Sequence, residues 1–256
     1  MVSAGEEVRL SFVRTREAGA VSDVAAEVLW HDRLLLAAQK PAGLLVHGDG
    51  TGADTLTARV QHSLAGLAAR DGWPQPPVAQ ALQRLDVCTT GIVLFSLTEE
   101  FQPTFDAMVA AHRMRKRYLA VVRGTFPMGA HVIDRPIARD RHDARRMRVG
   151  KTGKPAQTKA MCVRRGRGCS LVACELVTGR RHQIRVHLSS MGYPILGDAL
   201  YGQRHGREGQ LMLHAYEEAF VHPVLRERVV LRTEWPERFA DLFPPTEVDW
   251  SILNSL

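Results

Sequence analysis

Residues 82–95 read LQRLDVCTTGIVLF, with Asp86 directly after Arg84-Leu85 and just ahead of an apolar run. A carboxylate in that place has two readings. It can close an Asx-turn by accepting the amide of Cys88 or Thr89, the commoner use of such a residue. It can also be the reactive group of an enzyme, and the stretch alone leaves both open. Residues 175–202, ELVTGRRHQIRVHLSSMGYPILGDALYG, crowd Arg180, Arg181, His182, Gln183, Arg185 and His187 behind the Thr178-Gly179 turn. An ordinary surface helix seldom opens with so many donors, although a solvated basic face would also produce them. His182 and His187 are not spaced i, i+4, the separation a two-histidine metal face requires. In Arg115-Lys116-Arg117-Tyr118 three cations lead into a tyrosine. That ring is either a core residue with its hydroxyl at the rim or a platform for a nucleobase whose phosphates the cations hold.

The elements that must position these groups follow from periodicity and turn residues. Residues 27–40 predict two short strands joined through His31-Asp32-Arg33, and Pro41-Ala42-Gly43 a turn. The glycine-rich residues 48–54, GDGTGAD, lack the Lys-Ser/Thr of a P-loop and the spacing of a dinucleotide loop, and read as a plain turn. Asp54 is placed to cap a helix with Leu56, Val60, Leu64 and Leu67 on one face, which DGWPQPP at 71–77 ends. The run behind Asp86 predicts a buried strand. A second amphipathic helix over 99–113 turns Phe101, Phe105, Met108 and Val109 inward. Strands are expected over 115–122, and over 155–163 and 169–177 about the turn Arg165-Gly166-Arg167-Gly168. Two more fall within 211–223 and 226–236, and one short strand within 7–13. A helix over 180–191, ended by Gly192, would bury Ile184, Leu188 and Met191 and lean Arg185 toward a cleft. Few helices and many hairpin-linked strands give an α+β fold on a largely antiparallel mixed sheet flanked by helices and loops.

The 256 residues suffice for one large domain or two small ones, and no internal repeat divides them. Lys and Arg outnumber Asp and Glu by 34 to 27, a net charge of +7 carried mostly by arginine. This excess is concentrated at 139–148 and 164–167, which suggests a basic face for a polyanion. No apolar run is long enough to span a membrane, and the first residues lack the apolar core of a secretory signal. A cytoplasmic protein with no membrane partner is expected. Cys88, Cys162, Cys169 and Cys174 form no C-x-x-C pair, so buried free thiols are expected and a zinc site is not.

Taken in order, these stretches resemble the RluA-type pseudouridine synthases. That family carries His-Arg-Leu-Asp before a Thr-Ser-Gly-like turn, matched by Gln83-Arg84-Leu85-Asp86 and Thr89-Thr90-Gly91. Its Lys-x-Tyr strand is matched by Lys116-Arg117-Tyr118. Its Thr-Gly-Arg-x-His-Gln-Ile-Arg-x-His is matched by residues 178–187, and its Gly-Asp-x-x-Tyr-Gly by residues 197–202. Lys40-Pro41-Ala42-Gly43 and Leu213-His214-Ala215 also look like family features. The one departure within these motifs is Gln83, where the family usually has histidine.

The resemblance implies a single catalytic domain over 27–256. Residues 1–26 would be the trailing edge of an RNA-binding module that is lost or omitted. It implies an isomerase that turns specific uridines of structured RNA, ribosomal or transfer, into pseudouridine, as a monomer with no cofactor and no metal. Asp86 would be the nucleophile or base, Arg185 its basic partner, and Tyr118 the ring packed on the target base. The carboxylate must be ionised in a site closed to water, which calls for a nearby cation. Arg84 would fill the space left by the extruded base. Arg180, His182 and Gln183 would contact RNA beside the site. Charge alone suggests Arg115, Lys116, Arg139, Arg141, Arg145 and Arg146 for the backbone, with binding that weakens steeply in salt. Two rival readings are a catalytically silent RNA-binding module and an aspartate-dependent hydrolase. The hydrolase would need a second carboxylate or a metal, for which no motif is present.

Overall fold

Every residue of the strand behind Asp86 is buried, and the sheet is built outward from it. The computed structural model describes residues 23–48, 52–202 and 211–254. The strand expected at 7–13, most of segment 1–26 and part of the glycine-rich stretch lie outside the described residues. In chain order the first elements are β1 (Glu27–His31), β2 (Leu35–Lys40), α1 (Leu56–Asp71), β3 (Gln80–Ala81), β4 (Thr90–Ser96) and α2 (Gln102–Ala110). Next come β5 (Arg115–Arg123), β6 (Ala130–Asp134), β7 (Ile137–Arg139), β8 (Met147–Val149), β9 (Gln157–Arg165), β10 (Cys169–Leu176) and α3 (Gln183–Ser190). The chain closes with β11 (Leu213–Val221), β12 (Arg228–Arg232), α4 (Glu237–Ala240) and α5 (Ser251–Asn254).

The main sheet runs β1-β2-β4-β11-β5-β10-β9-β6, with β3 beside β4 and β12 beside β11, while β7 and β8 pair separately. Among the described strands only β4 and β11 pair in parallel; the other pairs are antiparallel. This is the α+β, mostly antiparallel architecture that the strand pattern predicts. On one face α1 lays Leu56, Val60 and Leu64 on Leu36, Val93 and Phe95, and α3 lays Ile184 and Leu188 on Tyr118, Val172 and Cys174. Leu85 packs against both clusters, so the Asp86 loop is seated in the valley between the two halves. The other face is covered by α2 and by the carboxy-terminal Phe239, Phe243, Trp250 and Leu253.

The parallel junction fixes the strand that follows Asp86. An added Cβ on Gly91 would fall 2.1 Å from the Ala215 carbonyl oxygen, so only glycine allows β4 this close to β11. Beside it, Arg238 donates to Thr90 Oγ1 at 2.7 Å, and the Thr90 hydroxyl is hydrogen-bonded to His214 Nδ1 at 2.6 Å. His214 Nε2 is hydrogen-bonded to Thr233 Oγ1 at 2.7 Å. Burial, and then Arg238, push the His214 pKa down to about 3, so the ring stays neutral in this chain of bonds.

Three local expectations shift. Thr55 rather than Asp54 caps α1, its Oγ1 taking the Ala58 amide at 3.1 Å. Asp54 is instead drawn to Arg59 at 2.6 Å. The second helix is shorter than 99–113. α3 begins at Gln183 instead of 180, because His182 is left-handed (φ 56°). Its far end closes as read from Gly192: the amides of Gly192 and Tyr193 return to the carbonyls of Ser189 and Leu188.

Candidate active site

The turn after Asp86 is closed by backbone: the Thr89 amide donates to the Asp86 carbonyl at 3.0 Å. The side chain is therefore not consumed in an Asx-turn, and its Oδ2 accepts Arg185 Nη1 at 2.9 Å. The loop is held from beneath by Lys40, which is fully buried. Its ammonium donates to the carbonyls of Val87 at 2.8 Å and Pro41 at 2.9 Å. Burial lowers the Lys40 pKa to about 8, against the pull of Cys88 and Asp86.

Arg185 is placed by a loop that Gln183 organises. The buried Gln183 oxygen accepts the Arg180 amide at 3.0 Å and the Thr178 hydroxyl at 2.8 Å. Its nitrogen donates to the Gln157 carbonyl and to Thr158 Oγ1, both at 2.9 Å. Two residues on, Arg185 forks onto Asp198 through Nε and Nη2, each at 2.9 Å, and turns Nη1 to Asp86. Burial works against the Arg185 charge, but the bonds and charge of Asp198, and then Asp86, outweigh it and raise its pKa. Asp198 Oδ1 also accepts the amides of Leu200 and Tyr201, at 3.0 and 3.1 Å. The Tyr201 ring lies under the guanidinium carbons of Arg185 and Arg146, 5.2 and 5.4 Å from its centroid. The Tyr201 hydroxyl receives the Met147 amide at 2.7 Å and bonds His182 Nδ1 at 2.7 Å. His182 Nε2 then lies 3.8 Å from Asp86 Oδ1. Burial first, then Arg185 and Arg181, lower the His182 pKa; Asp86 and Asp198 oppose them.

Asp86 borders two clefts. One, of about 1050 Å³, includes Arg84, Arg145 and Arg181 in its lining. The other, of about 320 Å³, is walled by Leu176, Ile184, Leu213 and Tyr118. Burial, and then Glu218 and Asp86, raise the Tyr118 pKa, so the phenol stays protonated. Among the described residues its hydroxyl makes no hydrogen bond. The geometry offers a carboxylate with a fixed cationic partner, a cation-rimmed cleft for a polyanion, and a smaller recess, part apolar and part basic, with room for one base. No group of three His, Cys, Asp or Glu side chains among the described residues is placed to hold a metal ion.

The family model described as RNA pseudouridylate synthase matches residues 35–190. The chain belongs to this family. It is 31% identical to the ribosomal large subunit pseudouridine synthase D of Zymomonas mobilis, over 86% of this chain and 73% of that protein. It is 33% identical to the ribosomal large subunit pseudouridine synthase C of Salmonella typhimurium, over 92% and 76%. The solved structure of human RNA pseudouridylate synthase domain containing 1 superposes with a TM-score of 0.71 at 26% identity, covering 88% of this chain and 90% of that one. As a pseudouridine synthase the chain is an isomerase that acts on RNA.

Within this synthase fold the expected site residues separate into groups. Asp86 and Arg185 touch, and Tyr118 lines the small cleft with both. Arg84 and His182 line both clefts, Arg145 the large one, and Lys116 and Arg180 the small one. Gln183, nearly fully buried, is also at the wall of the small cleft. Arg115 and Arg117 both approach Glu175, on the strand face opposite Lys116 and Tyr118. Arg139 and Arg141 are exposed and line neither cleft. Cys88 is exposed at the large cleft, while the other three thiols are buried as expected. Sequence reasoning did not assign site roles to Lys40, Asp198 and Tyr201. Their motifs were visible, but nothing in them showed which charged atoms they would meet.

Proposed function

We propose that the chain converts specific uridines of ribosomal RNA to pseudouridine, with Asp86 acting on the extruded nucleotide as nucleophile or base. The bond from uracil N1 to ribose C1′ breaks and the base turns. C5 then bonds to C1′, C5 gives up its proton and N1 gains one, so no external atom enters. The observation that carries this reading is the Asp86–Arg185 contact at 2.9 Å beside the Tyr118 recess. Tyr118 packs on the base, Arg84 fills the space it leaves, and Arg145 and Arg181 hold backbone phosphates. The large-subunit names of the relatives favour a ribosomal target, and with it a cytoplasmic protein.

Replacing Asp86 by Asn tests the assignment. Tritium release from 5-labelled uridine in RNA should cease while RNA binding largely survives. Wild-type release by this variant would sink the role of Asp86. Pseudouridine maps of RNA from cells with and without the protein should differ in ribosomal RNA. A difference confined to transfer RNA would move the target there.

A further inference from the structure

β11 does not alternate evenly. Ala215 stands opposite Tyr118 and Glu217 opposite Arg117, so Tyr216 is one residue too many and forms a β-bulge. Tyr216 and Glu217 consequently share a face: Tyr216 stacks on Trp250, and Glu217 takes Arg117 at 2.6 Å. Glu218 is returned to the opposite face, with Tyr118 and Lys116. Without the extra residue it would face away from them. Re-aiming a side chain is a recurrent use of bulges beside functional sites.

So aimed, Glu218 is 1% exposed. Its Oε1 accepts Gln83 Nε2, and Lys116 is its cross-strand partner. Gln83 lies three positions before Asp86 and Lys116 two before Tyr118, and both line the small cleft. Glu218 Oε2 and Gln83 Oε1 are buried without a hydrogen-bond partner among the described residues. Such a cluster costs stability, so its presence between the two site elements calls for another reason. We infer that Glu218 is a positioning residue for the isomerisation: from its place opposite Lys116 on the paired strand, its bond to Gln83 ties the loop presenting Asp86 to the strand presenting Tyr118. The inference rests on the roles proposed above for Asp86 and Tyr118.

The titratable groups turned toward Glu218 are Lys116 and Tyr118 of β5. The Asp86 loop offers the uncharged Gln83, and β12 sets the apolar Leu231 opposite. Burial pushes the Glu218 carboxyl up to about 7, with Lys116 and Gln83 pulling it back. The ionised carboxylate in turn favours the charged form of Lys116. The tie therefore tightens as pH rises through about 7.

The test compares wild type with Glu218→Gln, which keeps an oxygen for Gln83 but no charge, and Glu218→Leu, which keeps neither. Amide hydrogen exchange of residues 83–90 reads the tie without RNA. Single-turnover tritium release against pH reads its consequence, with RNA affinity measured alongside. Exchange should quicken in both variants, more in the Leu form, and release should slow by about tenfold or more at unchanged affinity. The rise in rate through about pH 7 should vanish from the Gln form. Unchanged release in folded variants would overturn the inference, whatever the exchange. Slower release with unmoved exchange would also overturn it, since Glu218 would then act without the tie. A wild type that releases no label, with looser loops in the variants, would sink the isomerase reading and leave the tie standing.

Discussion

Arg185 makes three directed contacts with one planar group, two to Asp198 and one to Asp86. A lysine has the charge but not the fork, so Arg185→Lys cannot hold Asp198 through two parallel bonds while reaching Asp86. Single-turnover release should fall on the order of 100-fold, the usual cost of one misplaced electrostatic partner, with RNA affinity little changed. Full activity in the lysine variant would show that only charge is needed at this position. Asp198 has a different function. Its side chain is fully buried, so Asp198→Ala leaves the buried Arg185 guanidinium with Asp86 alone and its Nε and Nη2 donors unpaired, and should cost about 3–5 kcal/mol in urea unfolding. The aspartate–arginine pair was legible because each residue stands in its own motif. The clamp behind it was not, since a Gly-Asp pair in a loop gives no sign of which cation it will meet.

At the scale of elements, the loop and strand that bear Asp86 depend on how closely β4 approaches β11. Gly91→Ala would drive a methyl group into the backbone of Ala215, with no flexible side chain able to give way. A loss of about 3 kcal/mol or more is expected, read as a large fall in thermal midpoint together with lost activity. A variant melting like wild type would show that the strands can separate at little cost. Most strands of the main sheet could be read beforehand, because alternation and turn residues mark hairpins such as β9–β10. The short β7 and β8, half exposed and only three residues each, carry too little periodicity to be seen. The start of α3 was misread for another reason. Apolar spacing cannot register that the Gln183 side chain bonds the Thr178–Arg180 turn, nor that His182 takes a left-handed backbone. That same departure puts His182 beside Asp86.

For the whole molecule, the net charge of +7 and its clustering along the chain suggested a polyanion as partner but not the surface that receives it. The fold divides the cations. Arg84, Arg145 and Arg181 line the large cleft beside Asp86, whereas Arg115 shares its face with the paired Arg117, Glu175 and Glu217. Strand alternation is the reason, since residues 115 and 116 must face opposite ways. Each phosphate neutralised contributes about 0.7 to 0.9 to the slope of log affinity against log salt, depending on whether the RNA is single- or double-stranded. Replacing Arg145 or Arg181 by Ala should therefore lower that slope by roughly one each, equally for all sequences. The pairing of Arg145 with its neighbour Asp143 does not alter this, because exposed ion pairs contribute little. Arg115→Ala should leave the slope unchanged. A loss at Arg115 equal to that at Arg181 would mean that RNA reaches the far face of the sheet, and that the cleft beside Asp86 does not confine the path of the backbone.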